Sequence, residues 1–181
     1  ERVIRLSSRH NLLSIQARYY LVDENKLRRA HIWRSFCEGF PYSDANRVQL
    51  MLPLVLELSK EVIALLDKYP SFLMKMGLEF DQVGPARYLL RTNPQGVALK
   101  QSEMIERLLS KLVSLRPLSA DFDVMELGVL IAECADVSGV RHSDAELVAM
   151  ELEREGSCVP SELKGYQLLS DDILERLINF D

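Results

Sequence analysis

Two adjacent carboxylates, Asp23 and Glu24, lie where an apolar run changes to a basic, helix-favouring stretch. A carboxylate at a strand-to-helix junction can be a metal ligand, but a metal site needs several convergent ligands. The nearest imidazole is that of His31, while His10 and His142 are further away, and no HxH or HxxxH spacing occurs. Asp is among the preferred N-cap residues of helices. The local pattern therefore favours a capping role for Asp23 over a metal-binding role.

The remaining sequence contains no recognisable catalytic motif. No GxSxG nucleophile elbow and no GxxxxGK[ST] or GxGxxG phosphate loop is present. Cys37, Cys134 and Cys158 are far apart and form no CxxC pair, so we expect them to be small buried apolar side chains. So few cysteines indicate a reducing compartment, by default the cytoplasm. No apolar run approaches the roughly 18 residues that span a bilayer, and no signal-peptide pattern is present, so we expect no membrane association.

The charge balance bears on nucleic-acid binding. The 181 residues include 22 Lys or Arg and 27 Asp or Glu, for a formal net charge of −5. This balance argues against DNA binding over the whole surface, which needs an excess of cations facing phosphate. Locally, one predicted helix over 24–37 is cationic, so its basic residues either contact DNA phosphates or form a solvated face. We expect weak, salt-dependent DNA binding through Lys26, Arg28, Arg29 and Arg34.

Hydrophobic periodicity predicts an α+β fold. In the first half, the pattern indicates a strand near residues 3–6, a hairpin of 11–16 and 18–22, the helix 24–37, a loop over 41–46 and a strand over 49–58 that Pro53 confines to an edge or bends. Helical spacing follows from Ser59 to Gly77 with a break at Pro70, then a hairpin around Gly84-Pro85. The rest is predicted to consist of four helices. The first begins at Ser102 and is stopped by Pro117, and the second covers 121–137 and is ended by Gly139. The third begins at a Ser143–Glu146 capping box and ends at Gly156, and the last begins at Ser170.

Several strings occur in a characteristic order between Arg47 and Pro94. They are an apolar strand with a proline, the helix start ELSKE, the pattern LxxxGxEF and the pattern YLxRxxP. The order and spacing of these strings resemble those of the C-terminal dimerisation domain of the DNA mismatch repair protein MutL. The opening hairpin and the closing ILERL helix fit the same family, so the resemblance covers nearly the whole chain.

The resemblance also informs the reading of the Asp23 junction. Many members of this family are latent metal-dependent endonucleases whose junction reads DQHAxxERxxxE. Here Asp23 matches, but Asn25 replaces the His and Arg29 replaces the Glu. The family's Cys-His or Cys-Lys pair corresponds to Glu133-Cys134, and its CPHGRP motif corresponds to CVPSEL, which retains Cys158 alone. A guanidinium in place of a carboxylate repels a divalent cation. The resemblance thus implies a member without nuclease activity, with no catalytic or metal-binding residue.

The family's architecture implies two lobes. Residues 1–48 and 117–181 would form a discontinuous dimerisation lobe, with a smaller α+β lobe, 49–116, inserted. The resemblance implies a homodimer that links the mismatch sensor MutS to effectors such as the endonuclease MutH and a repair helicase. The family's ATP-binding motifs lie in an N-terminal region that this chain does not contain, so no cofactor is expected here.

The string QLMLP suggests one more partner. Many family members carry Q-x-[LM]-[IL]-[VI]-P here, a motif that binds the bacterial replication sliding clamp. Aligned on the proline, the family's Gln falls on Val48, whereas a five-residue Q-L-x-L reading fits from Gln49. An apolar edge strand entering a new lobe would have the same composition. The residues of the possible clamp contact are Gln49, Leu50, Met51, Leu52 and Pro53.

Two alternative functions stay open at the level of sequence. One is a metal-dependent endonuclease with a non-standard ligand set, Asp23, His31, Cys134 and Cys158, which metal-dependent nicking of supercoiled DNA would reveal. The other is an unrelated α+β adaptor, which the absence of mismatch repair partners would reveal.

Overall fold

A computed structural model of the chain describes residues 2–115, 123–154 and 159–178. Antiparallel sheets and helices alternate along the chain, which confirms the predicted α+β class. The strands are β1 (Arg2–Arg5), β2 (His10–Ile15), β3 (Arg18–Asp23), β4 (Arg47–Glu57), β5 (Phe80–Gln82), β6 (Arg87–Pro94) and β7 (Tyr166–Leu168). The helices are α1 (Glu24–Gly39), α2 (Lys60–Lys68), α3 (Pro70–Lys75), α4 (Ser102–Ser114), α5 (Val124–Cys134), α6 (Asp144–Leu152) and α7 (Asp171–Ile178).

The chain divides into two compact units. Unit 1 comprises Glu1–His31 with Val140–Asp181, and unit 2 comprises Ile32–Gly139. Helix α1 contributes its first half to unit 1 and its second half to unit 2. The lobes predicted from the resemblance, 1–48 with 117–181 and 49–116, stay a prediction, because grouping residues by contact does not define a dimerisation lobe.

Unit 1 is built on a four-stranded antiparallel sheet in the order β1-β2-β3-β7. The predicted β2–β3 hairpin is confirmed, and its two turn residues, Gln16 and Ala17, have φ values of 50° and 59°. Strand β7 was not predicted, because three residues are too few to show alternation. At Gly165, just before β7, a Cβ atom would collide with the backbone of Leu27 in α1. Glycine therefore allows this close approach of β7 to the start of α1.

Helices cover one face of this sheet. Leu13 and Tyr20, opposite each other on β2 and β3, are 0% and 3% exposed and define the buried face. The Asn11 amide donates to the Asp144 carboxylate at 2.6 Å, which ties β2 to the first turn of α6. The predicted capping box of α6 is confirmed, since the Ser143 hydroxyl accepts from the Glu146 N–H and the Glu146 carboxylate accepts from the Ser143 N–H.

Unit 2 contains a three-stranded antiparallel sheet in the order β4-β6-β5, together with α2 to α5. The break at Pro70 is confirmed, because α3 begins there after α2 has ended. Ser59 caps α2, and Gly77 follows α3 with a φ of 81°, both as predicted. Pro53 lies in an irregular part of β4, which is an edge strand, so the predicted bend is also confirmed.

The predicted end of the helix over 121–137 was wrong. Helix α5 ends at Cys134 instead of extending to residue 137, and Val137–Gly139 form a separate 3-10 turn after the N–H of Ala135 bonds to the Ile131 carbonyl. The predicted start of α4 at Ser102 is confirmed; Gln101 is its N-cap, and the Ser102 hydroxyl donates to the Val55 carbonyl at 3.0 Å. The helix ends predicted at Pro117 and Gly156 lie outside the described residues. No helix in the described ranges is long and apolar enough to cross a membrane.

Candidate functional site

Asp23, at the end of β3, holds the start of α1. Its Oδ1 accepts the N–H of Lys26 at 3.1 Å, which is the bond expected of an N-cap and confirms that prediction. Its Oδ2 lies 3.9 Å from His10 Nε2, and its own N–H donates to the Gly165 carbonyl at 2.8 Å. The carboxylate therefore has a structural role that explains its presence without a metal.

The cations of α1 have different environments. Arg28 is half-buried, pairs with Glu24 at 2.8 Å and Asp144 at 3.8 Å, and donates to the Val140 carbonyl at 3.1 Å. Lys26 is exposed, Arg29 is half-buried, and the Arg34 guanidinium lies 6.0 Å from the centre of the Trp33 ring. The DNA contact predicted for Lys26, Arg28, Arg29 and Arg34 stays a prediction, and the Arg28 guanidinium already contacts three groups of the protein.

Two further positions that the resemblance aligned with family ligands, Glu133 and Cys134, are described by the structure. The Glu133 carboxylate forms an ion pair with Lys111, and the main-chain carbonyl of Glu133 accepts from Arg107. Cys134 is 4% exposed. Cys158 lies outside the described residues. Within 2–115, 123–154 and 159–178, no group of three or more His, Cys, Asp or Glu side chains is placed to hold a metal ion.

Cys37 is a packing residue of unit 2. Its thiol donates to the Val124 carbonyl at 3.6 Å, and burial, with the negative charge of Asp123, raises its pKa to about 11. A Cβ atom on Gly128 would lie 2.8 Å from the Cys37 sulfur and 2.8 Å from Trp33 Cδ1. The thiol thus fills a tight helix contact and is almost fully protonated at neutral pH, which does not suit a nucleophile.

The face of the unit 1 sheet that lies opposite its buried face carries an apolar row. Ile4 of β1 is opposite Leu12 of β2, which is opposite Leu21 of β3. Leu12 and Leu21 are the sequence neighbours of the buried Leu13 and Tyr20, so they project to the other face. Ile4 is 53% exposed and Tyr19, on the same face, is 39% exposed. Because strand register joins these residues, the sequence alone did not reveal the row.

A cleft of about 650 Å³ lies within unit 1 beside β3, β7 and the start of α1. Four basic side chains line it: His10, Arg18, Lys26 and Lys164. Asp23 is its acidic lining residue. Sequence reasoning identified Lys26 but missed Arg18 and Lys164, because no local pattern joins residues so far apart in the chain.

Strand β4 presents two large apolar side chains to solvent. Gln49 pairs with Thr92 and Leu54 pairs with Leu90, so five steps along β4 correspond to two along β6. In the irregular stretch between them, Met51 is 99% exposed and Leu52 is 83% exposed. The possible clamp motif therefore forms a protrusion on an edge strand.

Comparisons with known proteins identify the family. The model of the MutL C terminal dimerisation domain matches residues 6–144. Among proteins named DNA mismatch repair protein MutL, that of Methanothrix thermoacetophila is 30% identical over 103 residues, covering 56% of this chain and 18% of the relative. That of Dictyoglomus thermophilum is 23% identical over 103 residues, covering 57% and 18%, and that of Desulforudis audaxviator is 25% identical over 133 residues, covering 72% and 23%.

This chain spans about a fifth of the length of these relatives, at 18%, 18% and 23%. The family model nevertheless covers most of the chain, and its extent includes β2 to α5, and with them the β2–β3 hairpin and the whole sheet of unit 2. The resemblance read from the strings between Arg47 and Pro94 is thereby confirmed. The chain belongs to the family of MutL C-terminal dimerisation domains.

Proposed function

We propose that this domain joins two copies of a MutL mismatch repair protein into a homodimer through the outer face of the unit 1 sheet. The observation that carries the proposal is the row of Ile4, Leu12 and Leu21 across three neighbouring strands, on the face opposite the buried one. A second copy of the chain is the occupant that membership of a dimerisation family indicates.

The energetics favour an interface at this face. Exposed apolar surface is unfavourable at about 25 cal/mol per Å², so covering the row with the same row of a second copy is stabilising. A two-fold interface is self-complementary, and an apolar patch can pack against itself without opposing like charges. We expect the dimer to bury about 1,600 Å² in total, the usual size of a specific interface.

Sedimentation velocity on the 20.7 kDa chain tests the proposal. At about 20 µM, the chain should sediment as a dimer, and Ile4→Glu should sediment as a monomer, because each copy would bury a carboxylate in an apolar interface. Val83→Glu is the matched control, since Val83 is 52% exposed but lies in unit 2. A monomer at every concentration, or equal behaviour of the two variants, would exclude this interface.

Dimerisation of this domain would hold the two N-terminal regions of a MutL dimer close together, so that each meets the other at a high effective concentration. We propose that the protein acts as a matchmaker between MutS and effectors such as MutH and a repair helicase. The relatives are named DNA mismatch repair protein MutL, which supports this role. A stable dimer supplies the scaffold on which these partners meet.

We also propose that this member does not cut DNA itself. Asp23 is used as a helix cap, Asn25 and Arg29 stand where nuclease members have His and Glu, and Glu133 is paired with Lys111. Each of these features lowers the affinity of the junction for a divalent cation, because ligands are absent or already neutralised. The chemistry of strand cleavage would then come from a separate enzyme.

A second proposed contact is with the replication sliding clamp, through Gln49 to Pro53. The protrusion of Met51 and Leu52 favours it, since large apolar side chains that are almost fully exposed are characteristic of short docking segments. The edge position of β4 leaves this segment accessible to a partner. A few apolar anchors on a short segment imply binding of about micromolar affinity or weaker, which tethering on DNA would raise.

A further inference from the structure

The methionines of this chain differ strongly in their exposure to solvent. Met51 is 99% exposed, Met74 is 45% exposed and Met76 is 0% exposed. The other methionines are half-buried: Met104, Met125 and Met150. Oxidation of a thioether requires that the oxidant reach the sulfur atom. The fold therefore leaves Met51 as the methionine that an oxidant reaches most easily.

The position of Met51 gives this exposure a consequence for binding. The register of β4 against β6 is irregular between Gln49 and Leu54, and Met51 lies in that stretch beside Leu52, which is 83% exposed. These two apolar side chains form the protrusion proposed above to contact the sliding clamp. A chemical change at the Met51 sulfur would alter one of the two anchors directly.

We propose that Met51 is a reversible oxidation site that controls the contact with the sliding clamp. This regulation rests on the clamp contact proposed above, and hydrogen peroxide is the oxidant. The sulfur lone pair of Met51 attacks one peroxide oxygen, so that an S–O bond forms as the O–O bond breaks. The proton on the transferred oxygen passes to the departing hydroxide. The products are methionine sulfoxide and water, and a methionine sulfoxide reductase with a thiol reductant reverses the change.

The sulfoxide is unsuited to an apolar contact. Oxidation converts a flexible apolar side chain into a polar one, whose oxygen is a hydrogen-bond acceptor. Burial of that oxygen against an apolar surface removes its water without supplying a donor, which is unfavourable. Leu52 cannot be oxidised in this way, so one anchor would remain. We expect the clamp affinity to fall by about tenfold and not to vanish.

Oxidation at Met51 should leave the fold of unit 2 intact. A side chain that is 99% exposed buries almost no surface on folding, so an added oxygen there has little effect on the free energy of unfolding. Met76, by contrast, is fully buried in the same unit, where a sulfoxide would disrupt packing. Its burial also protects it from the oxidant. The effect of mild oxidation is thus confined to the binding segment.

Peptide mapping by mass spectrometry tests the site of oxidation. The full 181-residue chain is treated briefly with dilute hydrogen peroxide, catalase is added, and the gain of one oxygen atom is followed for each methionine. Met51 should be oxidised at least about threefold faster than Met74 and faster than the four less exposed methionines. A rate at Met51 equal to or below that at Met74 would overturn the proposal.

Titration of clamp into the chain, followed by NMR, tests the effect on binding. Each chain is compared with itself before and after peroxide treatment, with the peroxide removed before clamp is added. The oxidised chain should bind about tenfold more weakly, and sulfoxide reductase should restore the original affinity. Met51→Leu should show no change on oxidation. Met74→Leu is the matched control, because it keeps the Met51 sulfur and should lose affinity as the unmodified chain does.

The chain before oxidation separates this proposal from the clamp contact itself. An untreated chain that does not bind clamp would show that the contact fails, and the regulation would fail with it. Binding that is unchanged after complete oxidation of Met51 would leave the contact standing and overturn the regulation alone. A loss of affinity in oxidised Met51→Leu as large as that of the unmodified chain would also overturn it, because another residue would then be responsible.

Discussion

The partners of Asp23 decide the chemistry of the strand-to-helix junction. The Asp23 carboxylate accepts a helix N–H at 3.1 Å and lies 3.9 Å from the His10 ring, so its oxygens already have partners that the fold provides. The cap could be predicted from sequence because it links residues three positions apart. The ion pair of Glu133 with Lys111 could not, because it joins two helices, α4 and α5, whose packing no local pattern specifies.

Substitutions at Asp23 distinguish a cap from a metal ligand. Asp23→Ala should lower the free energy of unfolding by about 1 kcal/mol, whereas Asp23→Asn should leave it nearly unchanged, because Asn caps as well as Asp. Urea unfolding measures both values. In parallel, the unmodified chain should not nick supercoiled plasmid with manganese. Nicking that Asp23→Ala abolishes would show that the carboxylate binds a catalytic metal.

The Cys37 thiol gives a prediction with a pH dependence. Because its pKa is raised to about 11 by burial, its thiolate fraction at pH 8 is about 0.1%, so alkylation should be much slower than for an unhindered cysteine. The rate should rise about tenfold per pH unit up to pH 10 and not level off near 9, where ordinary thiols do. Iodoacetamide labelling with peptide mapping measures this rate. The urea-unfolded chain is the control, and equal rates in the two states would contradict the prediction.

At the scale of elements, helix ends could be predicted from the local sequence, whereas the pairing of distant strands could not. Pro70, Ser59 and the Ser143–Glu146 pair fixed helix bounds correctly, because each acts on the backbone of its own turn. Strand β7 and its pairing with β3 could not be predicted, because a three-residue strand is too short to show alternation and its partner is far away in the chain. The apolar row and the basic cleft both depend on that sheet, so neither surface could be derived from the sequence.

The irregular stretch of β4 yields a prediction about the sliding clamp. Titrating clamp against the isotope-labelled chain should shift NMR signals confined to residues 48–54, and Gln49→Ala with Leu50→Ala, or Met51→Ser with Leu52→Ser, should remove the shifts. The second pair should change stability by less than about 0.5 kcal/mol, because both side chains are exposed. Val83→Ser, at the opposite edge of the sheet, is the control. An unperturbed spectrum at hundreds of micromolar clamp would exclude the contact.

For the molecule as a whole, the distribution of charge matters more than its total. The formal net charge is −5, yet residues 1–31 contain seven Arg or Lys and three Asp or Glu. Those residues form β1 to β3 and the start of α1, which supply both the apolar row and most of the basic cleft. A chain with a net negative charge can therefore still carry a local region of positive charge.

Dimerisation of the whole molecule predicts a stability that depends on protein concentration. For a dimer that unfolds to two separate chains, a hundredfold rise in concentration stabilises the folded form by RT ln 100, about 2.7 kcal/mol per dimer. For chains of this length, we expect the Tm to rise by about 3–5 °C between 1 and 100 µM. Calorimetry or circular dichroism measures the shift. Ile4→Glu should unfold at one temperature throughout, because a monomer has no such mass-action term. A Tm that is independent of concentration in the unmodified chain, with Val83→Glu behaving alike, would show that the exposed row is not covered by a second copy.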